Sequence, residues 1–442
     1  MTSSFSKFRS AEEAAAFVHS RDCVAVPLGP GQPAAFLHAL GQREAFDALT
    51  VFGALFIDLF PLFTRPGVRL LSGFFGPVER GLVEAGFNVE FVPADFRRFA
   101  QVAGRIRPRV MATAAAPPDA NGQMSLALHA GATTQALLEC GHDPERVLIV
   151  EVNPGLPRTR GLPPDYPHAI PLEIADIVVE SDLQVFEIPE SRASAVEHAI
   201  AEHAAQFLDD GCTLQTGIGG IPSELAEILA HGPGGDYGIH SEMFTTGLMR
   251  LHQAGKVTNR KGVFDGYSVA TFAAGTRDLY GWLDENDAVR FLPVDRVNDP
   301  GVIAANRKMV SINGALAVDL HGQIAADALG SRQYSGVGGH HDFTAAASRA
   351  PGGRSLVCLP STATVAGERV SRIVATLATG TLVTTPRHDV DVVITEHGVA
   401  ELAGRTVGER AESLIAVAHP DFRDSIRESW RKEALCGRGP RP

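Results

Sequence analysis

Short apolar runs alternate with amphipathic segments through the first third of the chain. Buried strands are predicted at DCVAVPLG, GVRLLSG, VEFVPAD, RVMATAAA and RVLIVEVNP, and helices at PAAFLHALGQR, PVERGLVEAG, FRRFAQVAGRI and ATTQALLECG. Strands that alternate with helices at this spacing are joined by right-handed crossovers, which place them side by side in one sheet. The pattern therefore predicts an open α/β domain with a largely parallel sheet.

This alternation lapses at 155–190, where the chain reads PGLPRTRGLPPDYPHAIP. Proline at this density is incompatible with a regular helix or a central strand, so we interpret the stretch as a linker. A second alternating series follows, with a long helix at SRASAVEHAIAEHAAQFLDDG, strands at CTLQTG, YGIHSEMF, YSVATFAAG, RSLVCLP and DVDVVITEHG, and helices at PSELAEILAH, TTGLMRLHQAG, TRDLYGWLDEN and GERAESLIAVAH. The fold class predicted is α/β, with two tandem open domains at 1–185 and 186–442.

Composition narrows the class of protein. A chain of 442 residues is too long for one ordinary core, and a net charge of -12 argues against nucleic acid as a partner. The five cysteines are scattered without any C-x-x-C, which fits a reducing compartment and excludes a cysteine-built zinc site. No apolar stretch of ~18 residues exists. The N-terminal residues MTSSFSKFRSAEEAAAF contain no signal-peptide core, so we expect a cytoplasmic globular protein with no membrane partner.

Three stretches are dense in glycine: PLGPGQP, QTGIGGIP and SGVGGHHDF. None is a dinucleotide fingerprint or a P-loop, and each alone fits a simple tight turn. The second is more informative, because it follows a short strand and opens onto a helix, with Pro222 and Ser223 placed as helix-start residues. Glycines before a helix N-terminus let a ligand approach the backbone N–H groups, which favours a phosphate or an oxyanion.

The segment GIHSEMFTTG carries one carboxylate, Glu242. A surface glutamate at the end of a strand is one interpretation. The other is a nucleophile, since this strand and the QTGIGGIP loop are expected to end at neighbouring positions of one sheet, where ligands of open α/β folds bind. A glutamate that attacks a thioester forms an anhydride and then a glutamyl thioester, so the acyl activation is kept on the protein.

Other chemistries find less support in the sequence. There is no G-x-S-x-G motif, and HSE lacks the P-C-x-x-C partner of zinc deaminases. Adjacent residues of an extended chain point to opposite faces, so His340, His341 and Asp342 are poorly placed to share a metal ion. We therefore expect no metal site.

A dozen blocks in order extend over nearly the whole chain: GFFGPVERG, APPDANGQMSL, EVNPGLPRTRG, GIGGIP, HSEMF, SINGALAVDLHGQIAAD, YSGVGGHHDF, LPSTA, VTTPRHDVDVVITEHGVAEL and IAVAHPDF among them. With these blocks the chain resembles the acetyl-CoA hydrolase/transferase family of glutamate-dependent, class I CoA-transferases. It is most similar to the butyryl-CoA:acetate and 4-hydroxybutyrate CoA-transferase branch.

The resemblance implies two open α/β domains with the active site in the cleft between them, and a homodimer or larger homo-oligomer. It implies that Glu242, in the C-terminal domain, is the nucleophile and that CoA or acyl-CoA is a substrate, with no metal and no tightly bound cofactor. The residues it implies for CoA binding are Gly217, Ile218, Gly219, Gly220, Ile221, Leu316 and Gly339. Phe74, Phe75, Met243 and Phe244 are either an apolar lining or core residues.

Three positions depart from the family pattern. Thr364 stands where many relatives carry a lysine that reaches the CoA phosphates, Thr246 replaces an aspartate, and LPPDYPHAIPLEIAD replaces a more polar segment. The expected function is an acyl-CoA:carboxylate CoA-transferase that uses a short-chain acyl-CoA and an acid such as acetate. An acyl-CoA hydrolase on the same scaffold is the alternative, and an inactive CoA- or metabolite-sensing protein is a third.

Overall fold

A computed structural model describes residues 7–190 and 192–436 of the chain. We expect no signal peptide in the N-terminal stretch MTSSFSKFRSAEEAAAF, and the first six residues of that stretch lie outside the described residues.

The strands, in chain order, are β1 (Phe8–Arg9), β2 (Cys23–Ala25), β3 (Leu49–Gly53), β4 (Val68–Ser72), β5 (Val89–Phe91), β6 (Val110–Ala115), β7 (Gln123–Ser125), β8 (Val147–Val152), β9 (Ala169–Pro171), β10 (Ile177–Glu180), β11 (Thr213–Gln215), β12 (Gly238–Ile239), β13 (Met243–Phe244), β14 (Ser268–Ala270), β15 (Phe272–Ala273), β16 (Val289–Phe291), β17 (Met309–Gly314), β18 (Ala317–Asp319), β19 (Ile324–Ala325), β20 (Ala328–Leu329), β21 (Arg332–Gln333), β22 (Arg354–Cys358), β23 (Thr362–Val365), β24 (Glu368–Ser371), β25 (Ile373–Val374), β26 (Val392–Thr395) and β27 (Gly398–Glu401).

The α-helices are α1 (Ala11–Ala16), α2 (Ala34–Leu40), α3 (Pro77–Glu84), α4 (Phe99–Ile106), α5 (Thr134–Gly141), α6 (Ala195–Ala205), α7 (Gly220–His231), α8 (Thr246–Gln253), α9 (Arg277–Leu283), α10 (Val294–Val297), α11 (Pro300–Ala305), α12 (His340–Ala347), α13 (Val407–Val417) and α14 (Pro420–Cys436). Short 3₁₀ turns occupy Gly29–Gly31, Pro61–Thr64, Phe96–Arg98 and Leu172–Ile174.

The chain divides into two compact units that are not consecutive in sequence. Unit 1 takes residues 7–190, Ser241–Thr246 and Tyr267–Asp299, and unit 2 takes 192–240, Gly247–Gly266 and the described residues from Pro300 onward. A single boundary at 185/186 does not describe these units. The reason is local: β13 pairs in parallel with β15, which keeps Ser241–Thr246 with Tyr267–Asp299.

Unit 1 is built on an eight-stranded sheet in the order β1-β10-β8-β6-β2-β3-β4-β5. Every pair in it is parallel, as the strand–helix alternation predicts. Neighbouring residues of a strand face opposite sides, so Val24 joins one apolar cluster while Ala25 joins another, and Val51 and Phe52 divide in the same way. The sheet is therefore covered by a core on each face.

One part of this sheet contradicts the linker interpretation. β10 lies within 155–190, yet it pairs with β8 on one side and β1 on the other. Its residues Ile177, Val178 and Val179 are all buried. The prolines upstream end before this apolar run, which is short but long enough to form a strand.

Unit 2 contains a six-stranded sheet in the order β12-β11-β17-β22-β26-β27. Its pairs are parallel except for β26 and β27, which form an antiparallel hairpin. An apolar cluster that includes Val357, Val393, Leu414 and Ile415 packs α13 onto the sheet. The α/β class with parallel sheets is thus confirmed. Within the described ranges, no helix combines the length and apolar character needed to cross a membrane.

Candidate active site

Glu242 lies in unit 1, on the connection between β12 and β13. Its backbone carbonyl accepts the N–H groups of Thr271, at 2.9 Å, and Phe272, at 3.2 Å. The next residue, Met243, is registered with Phe272 in the parallel pair of β13 and β15. The residue is itself half-buried. Hydrogen bonds from Thr271 and Phe272 therefore hold the main chain of Glu242, whereas the residue remains partly exposed to solvent.

The carboxylate of Glu242 is held by an asparagine that the sequence pattern did not indicate. Asn298 donates from Nδ2 to Oε2 of Glu242 at 2.6 Å, and Asn298 is fully buried. Its backbone N–H donates to the carbonyl of Val294 at 2.8 Å, so the amide projects from the end of α10. A hydrogen bond to a charged acceptor is short and strong, and it orients the carboxylate. In the sequence Asn298 precedes Asp–Pro and looks like an ordinary helix stop.

The apolar residues considered as a lining divide between two roles. Phe244 is completely buried and stacks on Trp282, with ring centroids 5.8 Å apart. Phe75 is buried as well and meets Phe91 edge-on. Met243 and Phe74 are only half-buried. Phe244 and Phe75 are thus core residues of unit 1.

The glycine loop lies in unit 2, between β11 and α7. Gly219 has φ +119°, a conformation that disfavours any side chain, and its carbonyl accepts the N–H of Ser223 at 3.1 Å. Gly219 is therefore the N-cap of α7, and Pro222 and Ser223 lie inside the helix instead of starting it. Ile218 is 49% exposed, which is unusual for an isoleucine next to a core strand.

A chain of side-chain amides ties together the three segments of unit 2 that the resemblance implicates in CoA binding. Gln215, at the end of β11, and Asn313, in β17, exchange hydrogen bonds of 3.4 and 3.2 Å. Asn313 also donates to the Thr344 hydroxyl of α12 at 3.5 Å. Gln215 lies just before Gly217–Ile221, Asn313 lies before Leu316, and Thr344 lies after Gly339. Because β11 and β17 are adjacent and parallel, the first two segments lie at the same end of the sheet, and the hydrogen bond to Thr344 ties α12 to them.

The backbone of the other two implicated residues is partly engaged within unit 2. The Leu316 N–H donates to the carbonyl of Ala325 at 2.8 Å, so only its carbonyl could serve a ligand. Gly339 is the N-cap of α12, and its carbonyl accepts from Phe343 at 3.0 Å. The predicted residues Gly217, Ile218, Gly219, Gly220, Ile221, Leu316 and Gly339 all belong to unit 2, whereas Glu242 belongs to unit 1.

His340 and His341, at the start of α12, are both half-buried. Burial, with a smaller contribution from His341, lowers the pKa of His340 to about 4, so this imidazole is neutral at pH 7. Asp342 is 2% exposed. Across residues 7–190 and 192–436, no group of three or more His, Cys, Asp or Glu side chains is arranged to hold a metal ion.

The two atypical threonines have different surroundings. Thr246 is buried, and its hydroxyl accepts the N–H of Thr276 at 3.1 Å, so it has a structural hydrogen bond. Thr364 is exposed on the β23–β24 hairpin, directly opposite Arg369. The Arg369 guanidinium is paired with Asp421, which directs it toward α14.

Comparison with known proteins gives a consistent result. Residues 275–430 match the family model described as "Acetyl-CoA hydrolase/transferase C-terminal domain". The chain is 36% identical to succinyl-CoA:cyclohexane-1-carboxylate CoA transferase of Geobacter metallireducens, over 96% of this chain and 95% of that protein. It is 32% identical to butyryl-CoA:acetate CoA-transferase of Anaerostipes caccae, over 98% and 97% of the two chains. An acetyl-CoA hydrolase of Schizosaccharomyces pombe is more distant, at 26% identity over 64% of this chain and 59% of that protein.

Solved structures agree with these relatives. RipA from Yersinia pestis superimposes with a TM-score of 0.88 at 32% identity, covering 97% of this chain and 98% of that chain.

The packing around Gly220 leads to a stability prediction. A Cβ at Gly220 would overlap the carboxylate of Glu197, which forms a capping box with Ser194 at the start of α6. Gly220→Ala should therefore displace Glu197 and cost about 1 kcal/mol, the typical value of a lost helix cap. In a Glu197→Ala background the Cβ has room, and the same substitution should be neutral or stabilising, because alanine favours a helix over glycine.

The control is Gly217→Ala, since no atom lies within 4 Å of a Cβ at that position. Urea unfolding of the four Gly220/Glu197 combinations and of this control measures the coupling. An equal loss at Gly220 in both backgrounds would contradict the proposed overlap.

Proposed function

The chain belongs to the acetyl-CoA hydrolase/transferase family and is an enzyme of the CoA-transferase type, and on that premise we propose that it moves CoA from a short-chain acyl-CoA to a carboxylic acid such as acetate, through a thioester formed on Glu242.

The proposed reaction has two mirror-image halves. The Glu242 carboxylate attacks the thioester carbonyl, which forms a mixed anhydride and releases CoA thiolate. The thiolate then attacks the glutamyl carbonyl, so the donor acid leaves with the bridging oxygen and CoA is bound to Glu242 as a thioester. The acceptor carboxylate repeats these steps in reverse, and no net proton is gained or lost.

The hydrogen bond from Asn298 to Glu242 is the observation that carries this proposal. A nucleophile has to be held in an attacking orientation, and holding it in advance removes an entropic cost from the reaction. Asn298 does this with a neutral amide on a buried helix end, while β13 and β15 fix the backbone. A surface glutamate would have no need of a fully buried amide partner.

The arrangement of unit 2 supports a role in binding CoA. The network from Gln215 through Asn313 to Thr344 links the ends of β11 and β17, which precede Gly217–Ile221 and Leu316, to α12, which follows Gly339. Gly219 at φ +119° brings bare backbone to the start of α7, where N–H groups stabilise negative charge. We infer that these segments bind CoA.

Hydrolysis is the second candidate, and it is favoured only by the similarity to acetyl-CoA hydrolases. In that reaction water takes the place of the acceptor acid.

We also propose, from the family resemblance, a cytoplasmic homodimer or larger homo-oligomer without a tightly bound cofactor. The cysteines Cys23, Cys140, Cys212 and Cys358 are free, which fits a reducing compartment.

The covalent intermediate gives the first functional prediction. Incubation with acyl-CoA and no acceptor should leave CoA attached to the peptide that contains Glu242, as detected by mass spectrometry. Borohydride should reduce that thioester to an alcohol and inactivate the enzyme permanently. Glu242→Ala should lack both the adduct and transfer, yet still bind CoA. An adduct on another residue would exclude Glu242 as the nucleophile.

The hydrogen bond from Asn298 gives the second functional prediction. A hydrogen bond to a charged group contributes about 1.5–3 kcal/mol, so Asn298→Ala should lower kcat/KM by about 10- to 100-fold. Asn298→Asp should be worse, because it places a second carboxylate beside Glu242. Asn286→Ala is the matched control, since it removes an amide hydrogen bond of 2.9 Å to the Trp282 carbonyl elsewhere in unit 1. Equal activity of the Asn298 and Asn286 variants would remove Asn298 from the mechanism.

Steady-state kinetics give the third functional prediction. One carboxylate serves both half-reactions, so initial rates with donor and acceptor varied together should give parallel double-reciprocal lines. Intersecting lines would indicate a ternary complex and contradict the covalent route. Faster release of CoA to water than to acceptor, at saturating acceptor, would assign the enzyme to the hydrolases.

A further inference from the structure

A short segment of unit 1, residues 128–131, pairs with the part of the chain that holds the backbone of Glu242. Within it, His129 forms an antiparallel bridge with Phe272, and the residue after His129 donates its N–H to the carbonyl of Thr271 at 2.7 Å. Thr271 and Phe272 in turn donate their N–H groups to the carbonyl of Glu242. Segment 128–131 is therefore the next hydrogen-bonded layer behind the main chain of the proposed nucleophile.

The same segment supports the helix that presents Asn298. The carbonyl of Gly131 accepts the N–H of Val294, the first residue of α10, at 3.0 Å. Asn298 lies at the end of α10 and donates to the Glu242 carboxylate. Segment 128–131 thus contacts two supports of Glu242, the strand behind its main chain and the helix behind its side chain.

The imidazole of His129 anchors this segment to the eight-stranded sheet. His129 is 1% exposed, and its Nε2 lies 3.0 Å from the hydroxyl of Thr113, a fully buried residue of β6. That hydroxyl donates to the carbonyl of Ala114 at 3.1 Å, so it accepts from a protonated Nε2. Gly31 packs directly on the imidazole, where a Cβ would overlap the ring. The ring is therefore held in one orientation between these neighbours.

The imidazole of His129 is also neutral. Burial, followed by the influence of His168, lowers the pKa of His129 to about 3, so the ring carries no charge at neutral pH. It therefore provides a directional hydrogen bond without placing a charge in the interior of unit 1.

We propose that His129 is a positioning residue for the nucleophile, because its hydrogen bond to Thr113 fixes segment 128–131 and, through that segment, the orientation of Glu242. This role rests on the proposed function, in which Glu242 attacks the thioester, and it deepens that function. A small misplacement of a reacting group slows the reaction strongly even when the change lies away from the chemistry. CoA is bound by unit 2 in the proposed function, so His129 should affect the rate of attack and not the affinity for CoA.

Thr113→Val tests the hydrogen bond with a small change in shape. Valine keeps the branched side chain but leaves the Nε2–H of His129 without its acceptor. At saturating acyl-CoA and without acceptor, the rate of CoA attachment to the Glu242 peptide should fall about 10-fold, while the Kd for CoA changes by less than about twofold. His129→Leu should give a similar loss, and His129→Gln, whose amide can again donate to Thr113, should recover most of the rate.

The double variant separates positioning from stability. Replacing both members of a buried hydrogen bond by apolar residues can leave stability nearly unchanged, whereas replacing one leaves its partner unpaired. Thr113→Val/His129→Leu should therefore regain most of the urea midpoint that Thr113→Val loses. Its rate should stay about 10-fold low, because an apolar contact is non-directional and does not fix the segment. Recovery of the rate together with the midpoint would make His129 a purely structural residue and overturn the proposal.

Thr213→Val is the matched control. Thr213 is also a fully buried strand threonine, and its hydroxyl donates to the carbonyl of Arg307 at 2.8 Å within unit 2. This variant should lower the urea midpoint to a similar extent and leave the rate of CoA attachment unchanged. Equal rates of attachment in Thr113→Val and Thr213→Val would contradict a specific role for His129.

The wild-type adduct distinguishes failure of this proposal from failure of the proposed function. If the wild-type protein forms the adduct on Glu242 and Thr113→Val and His129→Leu form it equally fast, the proposed function stands and His129 does not position the nucleophile. If the wild-type protein forms no adduct on Glu242, the proposed function fails, and the positioning role of His129 fails with it.

Discussion

The hydrogen bond between the Asn298 amide and the Glu242 carboxylate imposes the constraint on which the site in unit 1 depends. In our proposal Glu242 is a nucleophile, and a nucleophile needs a fixed orientation. The Asn298 amide, which is fully buried and donates to the carboxylate at 2.6 Å, contributes to that orientation. The structure meets this requirement by ending α10 at Asn298 and by pairing β13 with β15. These two features also explain why Ser241–Thr246 and Tyr267–Asp299 pack as part of unit 1.

Unit 2 uses the same kind of interaction for a different purpose. Gln215, Asn313 and Thr344 belong to three elements distant in sequence, and their hydrogen bonds set the spacing of three loops. A buried network of neutral polar groups is stable only when its members are hydrogen-bonded to one another. It therefore restricts the relative positions of the segments that it connects. In our proposal this restriction positions the backbone donors that receive CoA.

The sequence predicted the fold class well because its strands and helices carry strong local patterns. It did not predict the strands and the residue whose roles depend on partners that are distant in the sequence. The strand Ile177–Glu180 was obscured by the preceding prolines, and Met309–Gly314, which lies between β11 and β22, was not recognised as a strand. Asn298 was missed because 56 positions separate it from Glu242 and nothing in its own neighbourhood distinguishes it from a helix stop. Glu242 could be predicted as the nucleophile, since its short motif and the family resemblance indicate the same residue, and that role stays a prediction.

The most direct test of the central claim follows oxygen atoms. If Glu242 forms an anhydride with the acceptor acid, then each turnover leaves one acceptor oxygen in the glutamate carboxylate. Turnover with ¹⁸O-labelled acetate in unlabelled water, followed by mass spectrometry of the peptide containing Glu242, should therefore show ¹⁸O in that side chain, approaching two atoms after many turnovers. A peptide that remains unlabelled while labelled acetate is converted to acetyl-CoA would contradict the account.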